Sequence, residues 1–226
     1  MRLDEALAAL SRAEDLPGAA AHARMEPPYR REPGFMSSGI DKPWREAAVL
    51  ILLYGDERGE ARFPLMLRPR GTGVHAGQLS LPGGALERGE GQAEAALREC
   101  REELGVCEDG ISVLRCLSLL QVAPSRFLVT PVVGLARGCP VFVPNAAEAE
   151  LVIEPAVSEL LDGDHERIGP APFRGRDWPV PYYELGGYRV WGATAMILAE
   201  FAELLRGGLS DGSRAREPRR GESAPG

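Results

Sequence analysis

Lysine occurs once in this sequence, at Lys42, although the chain has 26 basic residues, so its cations are almost all arginine. The 33 acidic residues outnumber them and leave a net charge of −7, which argues against a nucleic-acid partner. Long apolar runs are missing. The longest, Ala47–Tyr54, falls far short of the roughly 20 residues that cross a bilayer as a helix, so no membrane partner is expected. Asp4 and Glu5 interrupt the place where a secretory apolar run would sit. Cysteine is sparse, at Cys100, Cys107, Cys116 and Cys139, with no C-x-x-C spacing, which argues against a zinc site or a disulfide scaffold. A soluble protein in a reducing, cytoplasmic setting is the expectation.

What is present reads as one folded domain between two looser ends. Leu3, Ala6, Leu7 and Leu10 recur at helical spacing, after which Pro17, Pro27, Pro28 and Pro33 break the pattern, so residues 1–45 form a helix and a loose Pro/Gly-rich lead-in. Ala47–Tyr54 reads as a buried strand and Arg62–Leu67 as its returning partner. Gln92–Leu104 contains good helix formers without Pro or Gly. Ile111–Val122 and Phe127–Leu135 read as strands, Pro155–Leu161 as a short helix, and Tyr182–Trp191 as a hairpin turning at Gly186-Gly187. A last helix spans Gly192–Leu205. The domain therefore occupies 46–206, and 207–226, without apolar periodicity, reads as a disordered tail. This order of strands and helices suggests a sheet covered on both faces.

The chemistry concentrates in G-x5-E-x7-R-E-x-x-E-E-x-G, filled by Gly84, Glu90, Arg98, Glu99, Glu102, Glu103 and Gly105. On a helix Glu99, Glu102 and Glu103 fall within an arc of roughly 100°. Ala93, Ala96, Leu97, Cys100 and Leu104 gather on the adjacent stripe and anchor it. Carboxylates this close repel one another unless a dication neutralises them, and hard oxygen ligands favour Mg²⁺ or Mn²⁺. Magnesium is usually bound together with substrate phosphates, so metal-assisted hydrolysis of a phosphate or pyrophosphate ester is the implied reaction. Ion pairs at four-residue spacing through Glu94, Arg98 and Glu102 would explain part of the pattern. They would explain neither Gly84 and Glu90 upstream nor the helix stop at Gly105. Arg98 reads as a structural partner for Glu90 or Glu102.

Residues 84–106, GALERGEGQAEAALRECREELGV, resemble a complete Nudix box. The resemblance implies an α/β fold, a Nudix-type α/β/α sandwich with a mixed β-sheet, and hydrolysis of nucleoside diphosphates linked to another moiety. It also implies Glu99 and Glu103 as principal metal ligands, Glu102 as a further ligand or base, Gly84 as a carbonyl donor to metal, and Glu90 as support for loop and helix. The acidic run Glu148, Glu150, Glu154 resembles the place where such enzymes supply another carboxylate, with Glu148 the expected one.

Outside the box, Arg68 and HAGQLSLPGG (75–84), FLVTPVVGL from Phe127 and YRVWGATAMIL from Tyr188 resemble the coenzyme A pyrophosphatase branch. That branch implies cleavage of coenzyme A, with acyl-CoA and oxidised CoA as further candidates, to 3′,5′-ADP and 4′-phosphopantetheine. Arg68, Arg70 and His75 are the candidate substrate contacts, although His75 has an alternative reading as a residue packed in its loop. The chain departs from the branch pattern at Pro69, Gly73 and Leu81, and Gly73 stands where an arginine fork could hold a phosphate. ADP-ribose, NADH or a dinucleotide polyphosphate are alternative substrates, and a non-catalytic nucleotide-binding module is the alternative outside enzymes. Trp191 and Tyr188 are expected in the core. The sequence leaves open whether the chain forms a homodimer.

Overall fold

The computed structural model describes residues 1–37, 43–71 and 76–214. Gly73, His75 and residues 215–226 lie outside that range. In chain order the elements are α1 (Leu3–Arg12), α2 (Gly18–His22), β1 (Arg45–Gly55), β2 (Ala61–Arg62), β3 (Leu65–Leu67), β4 (Leu79–Ser80), β5 (Gly83–Ala85), α3 (Gln92–Leu104), β6 (Ile111–Cys116), β7 (Leu120–Val122), β8 (Phe127–Ala136), β9 (Leu151–Ile153), α4 (Val157–Leu161), β10 (Glu166–Phe173), β11 (Arg176–Leu185), β12 (Tyr188–Trp191) and α5 (Gly192–Arg214). No helix among the described residues is long and apolar enough to cross a membrane.

β1 organises the core because it is apolar on both faces, as a strand covered on both sides must be. Its side chains alternate: Ala47, Ile51 and Leu53 join the cluster beneath α1 and α5, while Ala48, Leu50, Leu52 and Tyr54 join the cluster beneath α3. The sheet between is mixed. β1 runs parallel to β8 from Arg45↔Phe127 to Leu53↔Leu135, whereas β2 and β5 pair antiparallel to β1, and β6 and β7 antiparallel to β8. The result is the α/β/α sandwich with a mixed sheet. Leu104, fully buried on α3, alone contributes about 2 kcal/mol through transfer from water.

Several expected elements change where a local donor is missing or is bonded elsewhere. The return strand after β1 ends at Arg62, because Pro64 has no N–H for the ladder; Leu65–Leu67 pairs instead with β4 and β9 in a small separate sheet. The expected strand Ile111–Val122 divides into β6 and β7 at Leu117, whose N–H still donates to the β8 carbonyl of Pro131 (2.8 Å), while the next N–H, of Ser118, donates to the Glu200 carboxylate (3.1 Å). The hairpin turning at Gly186 and Gly187, with φ of 55° and 80°, is joined by a third strand, β10. Prolines obscure that strand in sequence, yet Pro170 faces Pro179 in the register. Pro172 and Pro181 share that parity, so the missing donors all point away from the β10–β11 ladder.

Among the described residues, both end segments hold more structure than their composition suggests. Met25, Tyr29 and Phe35 in the lead-in are buried, and His22 bonds Glu200 on α5 at 2.9 Å. α5 continues past Gly207 to Arg214, across part of the segment read as a tail. Packing against α1 accompanies the continuation: a Cβ at Gly208 would meet the Ala9 backbone, so only glycine lets the two helices approach this closely.

Candidate active site

The site begins with how α3 is rotated. Its buried stripe is Ala95, Ala96, Cys100, Glu103 and Leu104. It differs from the expected stripe in that Ala95 is buried in place of Ala93, Leu97 is half-buried, and Glu103 joins the buried side. Glu94 accepts the Gly91 N–H at the first turn (2.8 Å), and Gly105 ends the helix in the left-handed region at φ 72°, its N–H donating to the Arg101 carbonyl.

Glu103 is 1% exposed. One carboxylate oxygen accepts the Gly83 N–H at 2.8 Å, and the other lies 3.6 Å from Arg68 Nη2. Burial pushes its pKa up to about 8, with Gly83 and Arg68 opposing the rise and the charges of Glu99 and Glu148 adding to it. Glu99, Glu103 and Glu148 each offer an oxygen within 4.8 Å of the others. Such a set of hard donors around a costly buried negative charge fits a divalent cation.

Three backbone features hold this group together. Gly84 abuts Glu99 so closely that a Cβ would collide with the carboxylate, and Gly83, at φ 154°, faces the Ala48 carbonyl in the same way. The loop carrying Glu148 is tied to the end of α3, Val143 N–H donating to the Leu104 carbonyl (2.8 Å) and Asn145 N–H to the Glu103 carbonyl (2.9 Å). The same loop joins the small sheet through Glu150 N–H and the Leu67 carbonyl (2.8 Å). That sheet positions Arg68, whose Nε donates to Ser80 Oγ (3.2 Å).

Arg98 braces the other side. It holds Glu90 through Nε (2.8 Å) and Nη2 (3.1 Å), Glu99 through Nη1 (2.9 Å), Glu102 through the same nitrogen (3.1 Å), and the Ala85 carbonyl (3.1 Å). The bond to Glu90, first among these, keeps the guanidinium charged well above the ordinary range, while Arg98 and then the Glu87 N–H hold the Glu90 pKa down. Glu102 is exposed, paired with Arg98 and with Arg101 (3.5 Å), and is not brought into the Glu99–Glu103–Glu148 group. Of the other acidic residues after the box, Glu150 is exposed and Glu154 accepts a hydrogen bond from Tyr54. Arg70 is exposed and outside the cavity wall.

The carboxylates open into a cavity of about 450 Å³ whose wall includes Arg68, Val49, Leu81, Phe127, Phe173 and Trp191. Trp191 is half-buried, at once part of a core cluster and of this wall, whereas Tyr188 is 40% exposed rather than in the core. The cavity also draws on Pro27, Tyr29 and Phe35 from the lead-in. Aromatics set among prolines at 27–35 were the available signal, but without periodicity they give no direction in sequence.

A NUDIX domain model matches residues 44–168. Nudix hydrolase 15, mitochondrial, of Arabidopsis thaliana is 31% identical over 72% of this chain and 59% of its own length. The Nudix hydrolase NudL of Photorhabdus laumondii is 30% identical over 70% of this chain and 84% of its own. The peroxisomal coenzyme A diphosphatase ndx-8 of Caenorhabditis elegans is 34% identical over 54% of this chain and 53% of its own. The chain spans 59% and 55% of the lengths of two Arabidopsis relatives. Among solved structures, a Nudix hydrolase of M. smegmatis, RenU, superposes with a TM-score of 0.50 at 18% identity, covering 78% of this chain and 90% of that one, a likeness of fold alone.

Proposed function

Since the chain belongs to the Nudix family, we propose that it is a cation-dependent pyrophosphatase and that its substrate is coenzyme A or an S-substituted derivative. The observation that carries this reading is the Glu99–Glu103–Glu148 group at the wall of an otherwise largely apolar cavity, with Arg68 beside it. The carboxylates suit the diphosphate end of a substrate, and the apolar wall suits an arm attached to it. Coenzyme A is favoured by the resemblance of 75–84 to the branch pattern and by the similarity to ndx-8.

Glu99, Glu103 and Glu148 would hold Mg²⁺ or Mn²⁺, which when bound supplies charge neutralisation and Lewis-acid polarisation of a phosphoryl oxygen. The chain's own residues do the rest. Arg68, kept in place by Ser80, would offer its guanidinium to a phosphate of the substrate. Glycines at 83 and 84 let the backbone pack directly against Ala48 and the Glu99 carboxylate. Water supplies the oxygen for the new bond to phosphorus, and the bridging P–O bond breaks with its electron pair leaving on the departing phosphate. A proton of that water passes to Glu148, the member of the group whose carboxylate accepts no hydrogen bond from the described residues.

Product analysis tests the reading. With Mg²⁺ or Mn²⁺, coenzyme A should yield 3′,5′-ADP and 4′-phosphopantetheine, and hydrolysis in ¹⁸O-water shows which phosphorus is attacked. Equal or better turnover of ADP-ribose, NADH or a dinucleotide polyphosphate would overturn the coenzyme A assignment while leaving the pyrophosphatase reading in place.

A further inference from the structure

Part of the cavity wall comes from either side of the segment that matches the family. Phe173, the last residue of β10, is half-buried on the cavity. Tyr29 stacks on it, with centroids 4.2 Å apart and planes at 16°, and Phe35 lies 5.6 Å from both rings. Tyr29 and Phe35 are 7% and 1% exposed, so they brace Phe173 from the protein side. The turn that follows runs through Arg174 and Gly175, with φ of 50° and 73°, and brings the chain sharply back into β11.

Apart from Arg68, Gln78, Ser80 and the carboxylates, the serine, threonine and arginine side chains of the wall are engaged within the protein. Ser125 Oγ donates to the Val122 carbonyl (3.4 Å) and Thr194 Oγ1 to the Leu79 carbonyl (3.2 Å). Arg30 is held by Glu26 (3.3 Å) and the Gln121 carbonyl (3.1 Å). A nucleobase here would lose hydrogen bonds to water and find few replacements, whereas an apolar chain would lose none. Tyr29 and Phe173 already face each other, so no slot for a base remains between them.

We infer that Tyr29, Phe35 and Phe173 form a specificity bracket that receives an acyl chain carried on the sulfur, making acyl-CoA the preferred substrate over free coenzyme A. Phe173 is the contact residue, and Tyr29 and Phe35 position it. This rests on the coenzyme A reading above.

The test is kcat/KM of the full chain, with Mn²⁺, on coenzyme A and its acetyl, octanoyl and palmitoyl thioesters. The wild type should prefer at least one of the longer esters to free coenzyme A by roughly tenfold or more. Phe173→Ala should reduce that preference by about the same factor, chiefly through KM of the longer esters. Phe173→Trp, which keeps an apolar ring at the hairpin tip, should move the preference toward shorter chains, and it decides the matter if the alanine variant folds poorly. No preference among the thioesters in the wild type, or the same profile in the wild type and the folded variants, overturns the bracket while coenzyme A cleavage stands. Failure to cleave any coenzyme A species while ADP-ribose is hydrolysed overturns the substrate reading, and the bracket with it.

Discussion

Replacing Glu103 by Gln should stabilise the cation-free protein, increasingly so as pH rises. The carboxyl is buried and its pKa is raised from 4.5 to about 8. A group of this kind binds its proton more tightly in the folded than in the unfolded chain. Its favourable contribution is complete below about pH 4.5 and is lost as pH rises through about 8. The full shift corresponds to about 5 kcal/mol, of which relaxation around the charge leaves roughly half to be expressed. Gln carries no titrating charge but can still accept the Gly83 N–H, so its profile lacks this slope. Urea unfolding in EDTA at pH 5, 6.5 and 8 measures both proteins, and comparing them cancels the titrating groups that are not coupled to Glu103. Saturating Mn²⁺ should then narrow the gap, because a cation at about 100 times its Kd adds about 2.7 kcal/mol to the wild type and less to the variant. Parallel pH profiles in EDTA would refute the assignment of a costly buried charge to Glu103.

Gly84→Ala should push the Glu99 carboxylate aside, lowering Mn²⁺ affinity by at least about tenfold in calorimetric titration, and unchanged affinity would remove Glu99 from the cation site. Glu148→Gln should lower kcat by about a hundredfold or more and Glu102→Gln by less than about tenfold, since Glu102 is paired with arginines outside the group; the opposite order would make Glu102 the functional carboxylate. Glu200→Gln should cost about 3 kcal/mol at pH 7 in urea unfolding, because Glu200 is fully buried and receives His22 and two backbone N–H groups. Burial alone would raise the Glu200 pKa, but the bonds from His22 and Ser118 outweigh it and lower the value. Its stabilisation is therefore present above about pH 4.5 and fades as pH falls through the folded pKa, so the gap between wild type and variant should narrow in acid.

The helix-borne half of the site is legible in sequence because three- and four-residue spacing on a helix is a geometric rule, and Glu99 and Glu103 share a face for that reason alone. The degree of rotation is not. Whether Ala93 or Ala95 meets the sheet depends on how α3 docks, and that choice buries Glu103. Strands are legible where both faces are apolar, as in β1, and fail where single residues intervene. Pro64 redirects the chain into the small sheet, and Glu200, more than 80 residues from Ser118 in sequence, takes the Ser118 N–H where β6 has ended. The cavity wall is the least legible part, since Tyr29, Phe35 and Phe173 meet only once the lead-in crosses the tip of β10. No local pattern records that meeting.

The two hydrogen bonds from Val143 and Asn145 to the last carbonyls of α3 divide the loop after β8 into stretches with different freedom to vary. Residues inserted between Ala136 and Val141 would bulge into solvent, where Val141 is already 81% exposed, and leave the carboxylates in register. A single residue inserted between Asn145 and Glu148 would carry Glu148 past Glu99 and Glu103. Lineages of this fold can therefore lengthen or trim the first stretch freely while the three-residue step to Glu148 stays fixed, and a comparison of loop lengths is a search for that boundary.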